Sequence, residues 1–95
     1  EWIMFHGRIP KANYAKYAPS FAAKGYDPAA WTALAKEAGM KYVVATAKHH
    51  DGFALFDSAV SEWDAVDARP GGKDLLMPLV EQCRKDGLPL GFHYS

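Results

Sequence analysis

The fold of this 95-residue chain is decided by residues 41–53, KYVVATAKHHDGF. The first half of this stretch is a short apolar run with β-branched and aromatic residues, which is typical of a strand buried in a parallel sheet. The second half places two imidazoles, a carboxylate and a glycine directly after that strand. Because ligands of α/β proteins bind at the carboxyl ends of parallel strands, the stretch predicts a functional site as well as a strand.

On either side of this stretch, the sequence alternates between helical and extended patterns. A helix is predicted over 27–39 and is followed by a strand over 42–47. A second helix is predicted over 74–85 and is followed by a strand over 90–94. The connection over 48–73 is long for a compact domain, and connections of this length are usually functional. The order is a β/α repeat, so the predicted fold class is α/β, with a barrel and an open doubly wound sheet as alternatives.

The number of predicted strands bears on the domain organisation. Two parallel strands and one crossover helix cannot cover both faces of their sheet, so further strands must come from outside this sequence. We therefore expect residues 1–95 to be part of one larger domain, incomplete at both ends.

Helical periodicity predicts which side chains are buried. In the first helix the apolar face comprises Trp31, Leu34, Ala35 and Ala38. In the second helix it comprises Leu76, Leu79, Val80 and Cys83. The single cysteine is thus expected to be a core residue rather than a nucleophile. Four acidic residues of the long connection are expected to be solvated: Asp57, Glu62, Asp64 and Asp67.

Composition excludes two classes of partner. The 11 basic residues balance the 11 acidic residues, and no basic stripe is present, which argues against a nucleic-acid partner. No apolar run approaches the roughly 20 residues of a membrane span, so no membrane partner is predicted.

Histidines carry the candidate chemistry. Consecutive side chains of a strand point to opposite faces, so His49 and His50 can contact one ligand only if the strand ends there, and Gly52 permits that break. His93, near the end of the second strand, would share the same rim. Imidazoles suit sugar hydroxyls, and together with Asp51 they could also bind zinc. Direct substrate contact is favoured, because three consecutive side chains rarely converge on one small ion.

Residues 41–56, KYVVATAKHHDGFALF, closely resemble the signature of the α-L-fucosidases of glycoside hydrolase family 29. Three flanking stretches match as well: EW at 1–2, KDLL at 73–76 and GFHYS at 91–95. The resemblance covers essentially the whole chain. It implies a (β/α)₈ TIM-like barrel much longer than this sequence, which would supply about two β/α units near the N-terminal half.

The resemblance also implies roles for individual residues. His49 and His50 would bind the hydroxyls of fucose, and Glu1 and Trp2 would lie at the sugar pocket. His93 stands where many members have a tyrosine, but an imidazole could still donate a hydrogen bond there. No catalytic residue is expected within this chain, because the nucleophilic aspartate and the acid/base glutamate of the family lie on later strands.

The implied activity is the retaining hydrolysis of terminal α-L-fucosyl residues from oligosaccharides or glycoconjugates, without a cofactor or metal. A secreted, periplasmic or lysosome-like location is implied by the resemblance alone. Two alternatives stay open. One is a metal-dependent TIM-barrel hydrolase that uses His49, His50 and Asp51 as ligands, and the other is a non-catalytic carbohydrate-binding barrel.

Overall fold

The computed structural model describes residues 2–95, and Glu1 lies outside the described residues. Within that range the chain forms α1 (Trp2–His6), α2 (Lys11–Tyr14), a 3₁₀ helix (Ala15–Ser20), α3 (Pro28–Glu37), β1 (Val43–Lys48), α4 (Leu76–Asp86) and β2 (Leu90–Tyr94). None of these helices is long and apolar enough to cross a membrane.

The two strands form a parallel pair, and α4 lies in the connection between them. Val43 pairs with Leu90 and Thr46 with His93, and the register shifts after Thr46. α3 packs against α4. The predicted α/β class is thus confirmed as a mixed α/β unit. Since the strands are parallel, their carboxyl ends lie at the same edge of the sheet.

Local sequence signals set the ends of α3. The side chain of Asp27 accepts a 3.1 Å hydrogen bond from the N–H of Ala30, which satisfies one of the unpaired donors of the first turn. Pro28 occupies the first helical position, where its missing N–H is not needed. Gly39 follows the helix with φ +77°, the left-handed conformation that commonly ends a helix. The predicted start of this helix is confirmed.

α4 begins two residues later than predicted, because Asp74 caps the helix from outside. Its Oδ1 accepts hydrogen bonds from the N–H groups of Leu76 and Met77, both at 2.8 Å. At the other end Gly87 is left-handed, with φ +67°. Three of the predicted core positions are buried, namely Leu76, Leu79 and Cys83. The fourth, Val80, is half-buried.

The buried face of α3 differs from the predicted one. Thr32 is 1 % exposed and Ala35 is buried, whereas Trp31 and Leu34 are 53 % and 66 % exposed. Thr32 faces α4, where its hydroxyl donates a 2.6 Å hydrogen bond to Asp86. The prediction is therefore wrong at Trp31 and Leu34, and also at Ala38, which is exposed. The buried positions of α3 are thus the small residues Thr32 and Ala35.

A buried carboxylate orders the connection between β1 and α4. Asp64 is fully buried, and it accepts hydrogen bonds of 2.7–2.9 Å from the backbone N–H groups of Ser58, Val66 and Asp67. The prediction that this residue is solvated is wrong, because folding of the loop around it replaces its water with backbone donors. The prediction is confirmed for three residues, Asp57, Glu62 and Asp67, which are exposed.

A buried guanidinium holds the same connection from its far side. Arg69 donates hydrogen bonds to the carbonyl oxygens of Ala65 at 2.7 Å, Phe21 at 2.6 Å and Lys73 at 3.1 Å. It also lies over the ring of Phe21, with 5.2 Å between its central carbon and the ring centroid. Arg69 thus ties the end of the connection to the segment that precedes α3.

Candidate functional site

The carboxyl ends of β1 and β2 bring the three predicted histidines together. The ring of His49 stacks on that of His93 at 5.4 Å between centroids and lies 4.3 Å from that of His50. The ring of Trp2 lies 6.2 Å from that of His50, edge to face. Four of the five predicted substrate-binding residues therefore form one continuous row of rings. The fifth, Glu1, lies outside the described residues.

The turn after β1 explains how two successive histidines can meet. The N–H of Gly52 donates a 2.9 Å hydrogen bond to the carbonyl of His49, and Gly52 is left-handed with φ +77°. The carboxylate of Asp51 accepts a 3.1 Å hydrogen bond from the N–H of Phe53. These bonds end the strand, so the two imidazoles lie close together instead of pointing to opposite faces of a sheet.

The ends of the two strands are tied together beside the histidines. Nδ1 of His50 lies 3.1 Å from the hydroxyl of Ser95. The ammonium of Lys48 donates a hydrogen bond to the carbonyl of Ser95 and lies 4.6 Å from the ring centroid of Tyr94. His50 and His93 are exposed and His49 is half-buried. Nδ1 of His50 thus has a hydrogen-bond partner on the other strand end.

Both carboxylate oxygens of Asp51 have hydrogen-bond donors within the chain. Its Oδ2 accepts a 2.9 Å hydrogen bond from the hydroxyl of Tyr14, and its Oδ1 accepts the bond from Phe53. A cavity of about 180 Å³ beside it is lined by Trp2, Met4, Phe5, His50 and Asp51. The cavity is small and its surface is mainly apolar, with His50 and Asp51 as its polar lining residues.

The one group of potential metal ligands found within residues 2–95 lies elsewhere, at Asp57, Asp64 and Asp67, whose carboxylate oxygens lie within 4.8 Å of one another. Burial by itself raises the pKa of Asp64, but the three backbone N–H groups outweigh this effect and lower the pKa. The charge of Asp64 in turn raises the pKa of Asp67. Because three backbone N–H groups donate to the carboxylate of Asp64, we interpret this residue as a structural one.

Cys83 has the environment of a core residue. It is 2 % exposed on the inner side of α4, and burial raises the pKa of its thiol. A raised thiol pKa disfavours the thiolate, which is the nucleophilic form. The prediction that Cys83 belongs to the core is confirmed.

The sequence model described as alpha-L-fucosidase matches residues 3–95. The chain belongs to the α-L-fucosidase family. Among curated relatives, the tissue alpha-L-fucosidase of Rattus norvegicus is 42 % identical over 87 residues, which cover 90 % of this chain and 19 % of the relative. The chain thus spans about a fifth of the length of that relative. The family predicted from residues 41–56 and the flanking stretches is confirmed.

Solved structures of α-L-fucosidases share the fold of this chain. Isoenzyme 1 from Paenibacillus thiaminolyticus is 49 % identical with a TM-score of 0.93, over 100 % of this chain and 22 % of that protein. The unliganded enzyme AlfC from Lactobacillus casei is 42 % identical with a TM-score of 0.95, over 99 % of this chain and 29 % of that protein. A mutant of the latter has also been solved with the substrate 4-nitrophenyl α-L-fucopyranoside.

Two residues at the candidate site were not predicted. Ser95 directly follows β2, so the rule that located His49 and His50 at a strand end could have found it. Tyr14 could not have been found from its local pattern, because its partner Asp51 is 37 residues away in the sequence. Nothing near Tyr14 in the sequence signals that contact.

Proposed function

We propose that this chain forms part of the sugar-binding pocket of a retaining α-L-fucosidase, a hydrolase of terminal α-L-fucosyl residues on oligosaccharides or glycoconjugates. The observation that carries the proposal is the row of rings at the carboxyl edge of β1 and β2, in a chain of the α-L-fucosidase family. We assign residues 1–95 to a longer catalytic (β/α)₈ barrel domain, incomplete at both ends, to which they contribute about two β/α units.

Each residue of the row has a proposed role that its chemistry supports. His49 and His50 hydrogen-bond to hydroxyls of the sugar, since an imidazole can donate through one nitrogen and accept through the other. Nε2 of His50 is the nitrogen assigned to the sugar, because Ser95 engages Nδ1. Trp2 provides an apolar surface, His93 a further donor beside His49, and Glu1 an acceptor.

The contribution of this chain to catalysis is orientation of the sugar. Retaining hydrolysis requires two carboxyl groups about 5–5.5 Å apart, one as nucleophile and one as acid and base. We assign neither of them to residues 1–95. Hydrogen bonds to ring hydroxyls can strengthen as the oxocarbenium-like transition state forms, and such bonds raise kcat as well as affinity. No step of this scheme requires a metal or cofactor.

The test is kinetics on 4-nitrophenyl α-L-fucopyranoside, with the full-length enzyme and the variants His49→Ala, His50→Ala and the double variant. Each replacement leaves sugar hydroxyls unpaired in the pocket, at a cost of about 1–3 kcal/mol, which corresponds to a loss of about 5- to 150-fold in kcat/KM. Both kcat and KM should change. Because the two histidines act on one sugar ring, the double variant should lose less than the product of the single losses.

Folding of each variant is checked by circular dichroism, and the wild type is assayed with and without EDTA. Folded variants with wild-type kinetics would remove the histidines from the site. Activity that EDTA abolishes and zinc restores would favour the metal-dependent hydrolase. A wild type that binds L-fucose but does not hydrolyse the fucoside would favour the carbohydrate-binding barrel.

A further inference from the structure

We infer that Tyr14 and Asp51 are positioning residues for the two histidines, an inference that rests on the proposed function. The hydroxyl of Tyr14 donates a 2.9 Å hydrogen bond to Oδ2 of Asp51. Tyr14 lies at the end of α2, whereas Asp51 directly follows His49 and His50. A segment that precedes α3 thus holds the turn that carries the candidate sugar ligands.

Asp51 is held from two further directions. Its Oδ1 accepts a 3.1 Å hydrogen bond from the N–H of Phe53. Its backbone carbonyl accepts a 3.0 Å hydrogen bond from Nε1 of Trp63. The ring of Trp63 packs edge to face on that of Phe53, with 5.0 Å between centroids. The residue after the histidine pair is therefore fixed by α2, by its own turn and by the long connection.

This arrangement matters because the turn itself is short and contains a glycine. Gly52 has a wide choice of backbone conformations, and its own hydrogen bond to His49 restrains only one side of the turn. Asp51 and His50 line the same 180 Å³ cavity, so a rotation of the turn would move both of them. Small displacements of groups that orient a substrate can lower the reaction rate strongly.

The hydrogen bonds of its carboxylate are consistent with a positioning role for Asp51. Each of its carboxylate oxygens already accepts a bond from the chain, from Tyr14 on one side and Phe53 on the other. A larger cleft of about 410 Å³, lined by Tyr14, Phe53 and Trp63 among others, also reaches Asp51. Asp51 thus lines both cavities, and its bonds to Tyr14 and Phe53 fix its position.

The experiment compares Tyr14→Phe with Tyr17→Phe in the full-length enzyme. Both changes remove one hydroxyl and keep the ring, and the two rings contact each other at 6.5 Å. Tyr17 is 66 % exposed, which makes it a matched control on the same segment. Loss of one partly buried hydrogen bond should lower kcat/KM roughly three- to tenfold in Tyr14→Phe and less than about twofold in Tyr17→Phe. The dissociation constant of L-fucose should rise by a similar factor in Tyr14→Phe.

A double-mutant cycle separates positioning from general stability. If Tyr14 acts through the two histidines, Tyr14→Phe should change kcat/KM by less than about twofold when His49 and His50 are both already replaced by alanine. A merely structural role would give the same loss in both backgrounds, and that result would overturn the inference. Trp63→Phe removes the donor to the backbone carbonyl of Asp51 and keeps an aromatic ring. Like Tyr14→Phe, it should raise the dissociation constant of L-fucose.

Failure of the inference can be told apart from failure of the proposed function. If the wild type binds and hydrolyses fucosides but Tyr14→Phe behaves like Tyr17→Phe, the inference alone is wrong. If the wild type neither binds L-fucose nor hydrolyses 4-nitrophenyl α-L-fucopyranoside, both the proposed function and the inference that rests on it are wrong.

Discussion

Two polar regions of this chain use their side chains in opposite ways. In the connection between β1 and α4, the charged groups of Asp64 and Arg69 are buried and form hydrogen bonds with backbone N–H and carbonyl groups. At the strand ends, His50 and His93 are exposed and contact mainly other rings. Buried polar side chains that hydrogen-bond to the backbone stabilise the fold, whereas exposed polar side chains at the strand ends can still bind a ligand.

This difference has a direct experimental consequence. Substitutions in the connection should change the free energy of unfolding and leave the kinetics of the folded enzyme nearly intact. Substitutions at the rim, such as those proposed for His49 and His50, should do the reverse.

The largest effect on stability is expected for Asp64→Ala in the full-length enzyme. The change removes the acceptor of three partly buried N–H groups, and the free energy of unfolding should fall by about 2–4 kcal/mol. Asp67→Ala is the matched control, because Asp67 is exposed and its own carboxylate is destabilised by the charge of Asp64. Urea denaturation of both variants measures the difference.

The kinetics of folded Asp64→Ala decide whether the two regions are separate. We expect kcat/KM per folded enzyme to stay within about twofold of the wild type. This change is much smaller than the loss expected when a substrate contact is removed. A tenfold loss of kcat/KM with unchanged stability would show that the buried carboxylate belongs to the site, and the contrast between the regions would no longer hold.

A smaller effect is expected on the acid dependence of stability. The pKa of Asp64 is lowered in the folded chain, so its stabilising contribution is complete above the unfolded pKa of about 3.9 and is lost as the pH falls through the lower folded pKa. Asp86, whose pKa the hydroxyl of Thr32 and the amide of Gln82 also lower, acts in the same direction. Below about pH 4 the free energy of unfolding should therefore fall less steeply in Asp64→Asn than in the wild type. Equal slopes would mean that backbone donors do not stabilise the charged form of Asp64.

The smallest effect is expected for Cys83→Ala. The thiol is buried between α4 and its neighbours, so its removal should cost about 1 kcal/mol of stability through a small cavity. Turnover of an aryl fucoside should be nearly unchanged. A loss of more than about tenfold in kcat/KM, equal to about 1.4 kcal/mol, in a folded variant would place the cysteine at the site.

The sequence by itself determined the local elements of this protein, because short-range chemistry fixes them. Asp27 and Pro28 set the start of α3, and Gly87 sets the end of α4, each through bonds within a few residues. The β-branched run before His49 predicted a parallel strand, and the rule that strand ends meet at one edge brought His49 and His93 together. These inferences needed no knowledge of distant contacts.

Only the tertiary structure decided which side chains are buried and which polar groups pair. Thr32 is buried, and not Trp31 or Leu34, because the contact is set by α4, more than 40 residues later in the chain. The burial of Asp64 requires a loop that folds around it, and the bond from Tyr14 to Asp51 spans 37 residues. Periodicity describes the neighbours of a residue along one element, whereas these contacts join elements whose approach is fixed by packing of the whole chain.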